Sequence, residues 1–167
     1  NVDYKLWKKY STPICVISIV FLLLVLTPLG IEANGAKRWL GVGGATFQPS
    51  DIAKFACVVF TAKLIERRYD KIKSLTKGVL PLLLMPTLIF VLIMLEPNMS
   101  TAGTVILVVF VMLFVAGINM KFVGAMMLSG VGLFVALVIV EPYRLKRIMS
   151  FLDPFQDPLG SGYQVIQ

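Results

Sequence analysis

The last 27 residues of the chain hold the side chains whose types and spacing could do chemistry. Arg144 and Arg147 share one face if their segment is helical, and Asp153 and Asp157 follow them. Guanidinium groups bind phosphate oxygens through paired hydrogen bonds, so they can neutralise a departing diphosphate. Once that charge is neutralised, one carboxylate acting as general base on an acceptor hydroxyl is enough for group transfer. The segment therefore predicts a transfer from a lipid diphosphate donor.

Two simpler interpretations of the same segment stay open on spacing alone. Asp153 and Asp157 each precede a proline, and Asp-Pro steps commonly form turns. The arginines could instead bind lipid headgroups at the membrane interface. A glycosidase would need a second carboxylate as its acid, whereas a diphosphate donor needs only one, and the spacing does not choose between the two aspartates.

A second polar group follows the glycine-rich stretch in the middle of the chain. Ser50 can cap a helix, Asp51 then lies in its first turn, and Lys54 is one turn further on at i+3. Asp51 and Lys54 can therefore pair. Capping and pairing would explain this pattern, but an ionisable pair at the mouth of a membrane helix is equally a candidate for lining a water-filled cavity.

Several other kinds of chemistry are excluded or unsupported. The chain has no histidine, which excludes Ser-His and Cys-His nucleophile pairs and the HExxH zinc site. Cys15 and Cys57 lie in apolar stretches and are predicted to be free, packed thiols. No metal-ligand cluster is visible, so no cofactor is evident, although a divalent cation is compatible with a diphosphate ligand. The net charge of +7 comes with no nucleic-acid motif.

The elements that must position these residues are membrane helices. The chain is 57% hydrophobic and 15% charged, with a mean hydropathy of +0.85, which excludes a soluble domain. Four uncharged stretches are long enough to cross a bilayer, and a fifth is shorter and contains Lys54 and Lys63. The four are residues 11–31, 78–95, 97–120 and 122–140, and the fifth is 52–65. We predict an all-α, polytopic transmembrane helix bundle with five spans.

The distribution of positive charge orients this bundle. Ten of the 16 basic residues fall on one side if all five spans cross, and that side is cytoplasmic by the positive-inside rule. Residues 66–77 then form a basic cytoplasmic loop, 30–50 an outer loop and 141–167 an outer catalytic loop. We expect residues 1–167 to be a single but incomplete integral membrane domain, because Lys54 needs further helices to cover it.

Five short motifs, in order and spacing, resemble the SEDS family of shape, elongation, division and sporulation proteins, which includes FtsW, RodA and SpoVE. The motifs are Asn34-Gly35-Ala36-Lys37-Arg38-Trp39, Gln48-Pro49-Ser50, Leu95-Glu96-Pro97, Pro142-Tyr143-Arg144 and Asp157-Pro158-Leu159-Gly160-Ser161-Gly162-Tyr163-Gln164. The resemblance implies a protein of about ten spans in the bacterial cytoplasmic membrane. It also implies an inverting glycosyltransferase that polymerises lipid II into peptidoglycan at the outer face of that membrane. The implied partners are a class B penicillin-binding protein and other divisome or elongasome membrane proteins.

The resemblance assigns roles to residues by position. Asp157, not Asp153, matches the family's essential loop aspartate, the base that deprotonates the acceptor sugar hydroxyl. Arg144 and Arg147 match loop arginines that suit the lipid diphosphate. Asp51 and Lys54 match an acidic residue and a lysine of the central cavity, where the family more often has Glu. Many relatives have Asp at the position of Asn98, so no charge-based role is assigned there.

The loop from Ser150 to Phe155 favours the FtsW and SpoVE type, hence division or sporulation. Two rival functions remain at this stage. A transporter that moves the lipid-linked precursor across the membrane would also need buried polar groups and an arginine pair for the diphosphate. A scaffold that only recruits the cross-linking enzyme would tolerate the loss of Asp157. We expect this chain to be inactive by itself.

Overall fold

A computed structural model describes residues 3–33, 36–42 and 45–140 of the chain. The chain divides into two compact units, Asn1–Met120 and Lys121–Gln167. The first contains four α-helices, α1 Tyr4–Val25, α2 Pro49–Arg67, α3 Leu80–Leu95 and α4 Met99–Val115. Between α1 and α2 lie three strands, β1 Gly30–Ala33, β2 Ala36–Val42 and β3 Ala45–Phe47. A 3₁₀ turn at Tyr69–Lys71 and a π-helical turn at Leu75–Val79 connect α2 to α3.

The four helices of the first unit pack through one regularly spaced face each. Helix α1 buries Ser11, Cys15, Ser18, Leu22 and Val25, a spacing of three and four that places them in one stripe. The stripe of α2 is made mostly of small residues, which lets helix backbones approach closely. Those residues are Ser50, Ala53, Ala56, Cys57 and Thr61. Helix α2 contacts α1, α3 and α4, so it lies at the centre of the unit.

Large apolar side chains cover the opposite helix faces. Val16, Ile17 and Val20 of α1 are exposed, as are Leu84 and Leu88 of α3. Such faces are typical of helices surrounded by lipid, because a bilayer does not penalise apolar exposure. Among the described residues, two helices are long and apolar enough to cross a membrane, Tyr4–Val25 and the continuous helical stretch Leu75–Leu95. Two further apolar helices there are shorter, Met99–Val115 and Met120–Leu133.

The five predicted helices are confirmed, with shifted ends. Helix α1 begins at Tyr4, upstream of the predicted start at residue 11, and ends at Val25. Its first turns carry Lys5, Lys8 and Lys9, whose long side chains can reach beyond the apolar layer. The fold is the predicted bundle of membrane helices. The chain also contains a small sheet, in the region that the sequence analysis treated only as a loop.

The sheet is antiparallel, in the order β1-β2-β3. Gly30 lies opposite Leu40, and Leu40 lies opposite Phe47 on the other side of β2. In the sequence, Asn34-Gly35 stands between β1 and β2 and Gly43-Gly44 between β2 and β3; these four residues lie outside the described ones. The Phe47 ring meets the Phe21 ring of α1 edge to face, with centroids 5.6 Å apart, and this contact holds the sheet against the end of α1.

The described part of the second unit belongs to α5, Met120–Val140, an apolar helix of 21 residues. Residues 141–167, which include the predicted outer catalytic loop, lie outside the described residues.

Candidate functional site

Polar groups of the first unit gather at the end where the sheet lies. We call this the sheet end; it comprises β2, the first turn of α2 and the turn of residues 96–98 between α3 and α4. Near the start of α2, Lys54 Nζ lies 2.7 Å from Asp51 Oδ1, so the predicted i,i+3 pair is confirmed. The two side chains are 36% and 59% exposed, respectively. An ion pair of this exposure contributes at most about 1 kcal/mol to stability, so its position matters more than its strength.

The prediction that Ser50 caps α2 is wrong. The helix begins one residue earlier, at Pro49, whose missing N–H costs nothing at the first helical position. Gln48 takes the cap position but makes no side-chain cap bond. Ser50 is instead buried, and its Oγ accepts hydrogen bonds from Gln48 Nε2 at 2.8 Å and from Asn98 Nδ2 at 3.4 Å. Ser50 therefore joins α2 to the turn between α3 and α4.

A cavity of about 350 Å³ opens between α2 and α4 beside the ion pair. Asp51, Lys54 and Thr104 supply its polar groups, and the remaining lining residues are Phe55, Cys57, Val58, Val105, Val108 and Val109. An apolar wall with one cation and one anion at its rim can accommodate an amphiphile, whose charged head would meet Lys54. Asp51 and Lys54, which the resemblance assigns to a central cavity, are both among the residues that line this opening, and their binding role stays a prediction.

Glu96 is a polar residue of the sheet end to which the sequence analysis gave no role. It directly follows α3, and its side chain is 1% exposed. Neither carboxyl oxygen has a hydrogen-bond partner among the described residues. Burial raises the pKa of this carboxyl from 4.5 to about 7, and the nearby positive charge of Arg38 opposes the rise. The sequence feature that could have indicated a buried acid was the position of Glu96 in Leu95-Glu96-Pro97, between two long uncharged stretches.

Arg38 of β2 contacts the same turn through its backbone. Its Nε donates to the Glu96 carbonyl oxygen at 3.2 Å, and a terminal nitrogen donates to the Pro97 carbonyl oxygen. Asn98 completes the turn as the N-cap of α4, where its Oδ1 accepts from Thr101 N at 3.4 Å. Asn98 therefore acts through hydrogen bonds, in line with the absence of an assigned charge-based role.

The other predicted site residues have different outcomes. Asp157, Arg144 and Arg147 lie outside the described residues, so their roles stay predictions. Within the described ranges, no three His, Cys, Asp or Glu side chains come together as a metal site. Cys15 and Cys57 are both free and buried, as predicted.

Comparison with known proteins places this arrangement in context. A family model described as "Cell cycle protein", FTSW_RODA_SPOVE, matches residues 1–167. Stage V sporulation protein E of Bacillus subtilis (strain 168) is 42% identical over 171 residues, which is 100% of this chain and 46% of that protein. The probable peptidoglycan glycosyltransferase FtsW of Aliivibrio salmonicida (strain LFI1238) is 40% identical over 168 residues, again 100% of this chain and 42% of the relative.

Solved structures give the same picture. A chain from a structure described as "Structural coordination of polymerization and crosslinking by a peptidoglycan synthase complex" superposes with a TM-score of 0.73 at 33% identity, covering 99% of this chain and 48% of that one. The crystal structure of the rod shape determining protein RodA of Thermus thermophilus gives a TM-score of 0.62 at 30% identity, covering 76% of this chain and 42% of that one. The chain spans about half the length of the relatives it matches.

Proposed function

The chain belongs to the FtsW/RodA/SpoVE family of cell cycle proteins, and from that premise we propose that the whole protein is a peptidoglycan glycan-strand polymerase. The observation that carries the proposal is the match of all 167 residues to a relative named as a probable peptidoglycan glycosyltransferase. The substrate we propose is lipid II, a disaccharide peptide on a lipid diphosphate. The site is at the outer face of the bacterial cytoplasmic membrane, and the sheet end faces outward.

The proposed reaction needs one base and several cations. The acceptor hydroxyl oxygen forms a bond to the anomeric carbon of the donor as the bond from that carbon to the diphosphate oxygen breaks. The proton of the hydroxyl passes to the Asp157 carboxylate, and the lipid diphosphate leaves with the bonding electrons. Attack from the face opposite the leaving group inverts the anomeric centre. Arg144 and Arg147 stabilise the charge that develops on the diphosphate.

Asp51 and Lys54 contribute to substrate binding in this proposal. Lys54 presents a cation at the rim of the cavity between α2 and α4, and Asp51 holds its ammonium group 2.7 Å away. A pair that is partly exposed can exchange partners readily, because each charge keeps part of its hydration. An anionic headgroup can therefore share Lys54 with Asp51 while an apolar part of the ligand contacts the valine wall.

We further propose a division or sporulation role and a class B penicillin-binding protein as partner, together with other divisome or elongasome membrane proteins. The cross-linking partner is supported by a structural likeness: this chain superposes on a chain from a peptidoglycan synthase complex whose description names both polymerization and crosslinking. The relatives named FtsW and stage V sporulation protein E support the choice of process.

The rival function is transport of the lipid-linked precursor across the membrane, which an ionisable pair beside a cavity between helices would also serve. The two functions separate in detergent, where no second compartment exists. The full-length protein, purified with its cross-linking partner and given lipid II, should form glycan polymer. If lipid II is not consumed in detergent but is moved across the membrane of vesicles, the result would support transport instead.

A further inference from the structure

The turn between α3 and α4 holds a buried acid that nothing in the proposed reaction uses. Glu96 is almost completely buried, and both oxygens of its side chain lack a hydrogen-bond partner among the described residues. A buried carboxylate without a partner is costly, so this group stays protonated to a higher pH than an exposed glutamate. Its pKa of about 7 lies in the range in which cells live.

Arg38 is the cation next to this acid, and it binds the backbone of the turn. Its two hydrogen bonds go to the carbonyl oxygens of Glu96 and Pro97. Those carbonyls lie at the C-terminal end of α3, where the helix leaves acceptors free and its dipole favours a positive charge. Arg38 therefore ties β2, and with it the sheet, to the turn.

The same turn is tied to the start of α2. Asn98 Nδ2 donates to Ser50 Oγ, which also accepts from Gln48 Nε2. The Asp51 amide donates to the Gln48 carbonyl oxygen at 3.1 Å. A continuous set of hydrogen bonds thus runs from the turn to the residue that pairs with Lys54.

We propose that Arg38 is a positioning residue that fixes the first turn of α2, and with it Asp51 and Lys54, and that ionised Glu96 competes with the carbonyls for its guanidinium. With Glu96 neutral, Arg38 holds the turn through the backbone. With Glu96 charged, the guanidinium moves to the carboxylate because a charged acceptor binds it more strongly than a carbonyl does. Arg38 then joins β2 to the turn only through the Glu96 side chain and no longer through the two backbone carbonyls, so the sheet is held less rigidly against the turn.

Few other charged groups among the described residues lie near Glu96 and Arg38. Helices α3 and α4 contain no titratable side chain. At the start of α2, Asp51 and Lys54 are paired with each other. On the sheet, Glu32 and Lys37 lie opposite each other and are exposed. Arg38 is therefore the described cation whose charge opposes the rise in the pKa of Glu96.

The test measures the attachment directly, in the full-length protein. Spin labels on T46C in β3 and S100C in α4, both exposed positions, report the distance between the sheet and the turn after Cys15 and Cys57 are replaced by alanine. The distance distribution should be narrow at pH 5.5 and broad or shifted at pH 8.5. In Glu96→Gln it should be narrow at both pH values, and in Arg38→Ala broad at both.

Matched variants keep this test decisive. Lys37→Ala removes the neighbouring exposed cation and should leave the distances unchanged. Arg38→Lys retains a cation and should recover part of the narrow distribution if Arg38→Ala folds poorly. Identical, pH-independent distributions in the parent and in Arg38→Ala would overturn the proposal.

The inference rests on the proposed binding role of Asp51 and Lys54, and a second readout keeps the two apart. Arg38→Ala should raise the KM for lipid II roughly tenfold, as expected for a lost charge-assisted contact, with a smaller effect on kcat. pH-dependent distances in a parent protein that makes no polymer would contradict the proposed function and leave the positioning role of Arg38 standing. Normal polymerisation with pH-independent distances would contradict the positioning role of Arg38 alone.

Discussion

Glu96 is the described side chain at the sheet end whose charge state depends most on folding. Its pKa in the folded protein, about 7, lies above its ordinary value of 4.5 because burial disfavours the carboxylate. Between these two pH values the folded protein binds more protons than the unfolded chain. The contribution of Glu96 to folding stability is therefore fully present below pH 4.5 and is progressively lost as the pH rises through about 7.

Replacing Glu96 by Gln should remove this pH dependence. The parent protein should lose about 3 kcal/mol between pH 4.5 and 8, whereas Glu96→Gln should keep nearly the same stability across that range. Thermal unfolding of the full-length protein in detergent at several pH values measures the difference. Glu66→Gln is the control, because Glu66 is exposed and pairs with Lys8 on the surface. Equal pH slopes in the parent and in Glu96→Gln would contradict the assignment.

Lys54 should matter for binding and little for stability. Lys54→Met removes the cation at the cavity rim and should raise the KM for lipid II several-fold, roughly the effect of one lost charge-assisted hydrogen bond. Its melting temperature should change little, because the pair with Asp51 is partly exposed. Lys63→Met on the same helix is the control; Lys63 donates to Thr12 of α1, far along α2 from the cavity. A KM that rises equally in both variants would argue against a binding role for Lys54.

Among the individual residues of the site, the sequence predicted only the contacts between residues that are close together along the chain. The pair of Asp51 and Lys54 follows from i,i+3 spacing within one helix. The burial of Glu96 and the role of Ser50 depend on β2, α2 and the turn of residues 96–98 converging, and no spacing along the chain reports that. Asp157 was assigned through resemblance alone, and its role is still a prediction.

The turn between α3 and α4 is the element that connects the parts of the sheet end. The turn makes hydrogen bonds to three neighbouring elements. Its carbonyls accept from Arg38 of β2, and Asn98 both caps α4 and donates to Ser50 of α2. Helices themselves were predictable, because long uncharged stretches are sufficient evidence for them. The strands were not, since a sheet depends on pairing between segments, and residues 30–47 showed only turn formers and interfacial side chains.

Asn98 offers a test of this element. Asn98→Ala loses the cap and the bond to Ser50 and should destabilise the protein by about 1 kcal/mol or more. Asn98→Asp keeps an acceptor for the Thr101 amide but loses the donor to Ser50 and adds a negative charge two residues from Glu96. It should therefore raise the pKa of Glu96 further. Thermal unfolding against pH measures both effects, and an unchanged pH profile in Asn98→Asp would count against the described geometry.

The whole molecule is a polytopic helical membrane protein, and its charge distribution predicts its orientation. Helix α1 with 22 residues is about 33 Å long, enough to cross a hydrocarbon core. The basic residues of 66–77 lie at the opposite ends of α2 and α3 from the sheet. That asymmetry predicts a cytoplasmic location for them and an outward-facing sheet.

Cysteine labelling in intact cells tests the orientation. In a full-length protein in which alanine replaces Cys15 and Cys57, T46C should react with a membrane-impermeant maleimide if β3 lies outside, as the positive-inside rule predicts. K71C should react only after the membrane is permeabilised. The reverse pattern would place the sheet end in the cytoplasm and remove the basis for an outward-facing site.

Glycan synthesis from lipid II tests whether Asp157 is the base of a polymerase. Full-length parent, Asp157→Asn and Asp153→Asn proteins, each purified with the cross-linking partner, are given lipid II in detergent, and the glycan product is measured by gel. We expect polymer from the parent and from Asp153→Asn and none from Asp157→Asn, with all three proteins folded and bound to the partner to the same extent. Polymer of normal length and yield from Asp157→Asn would contradict it.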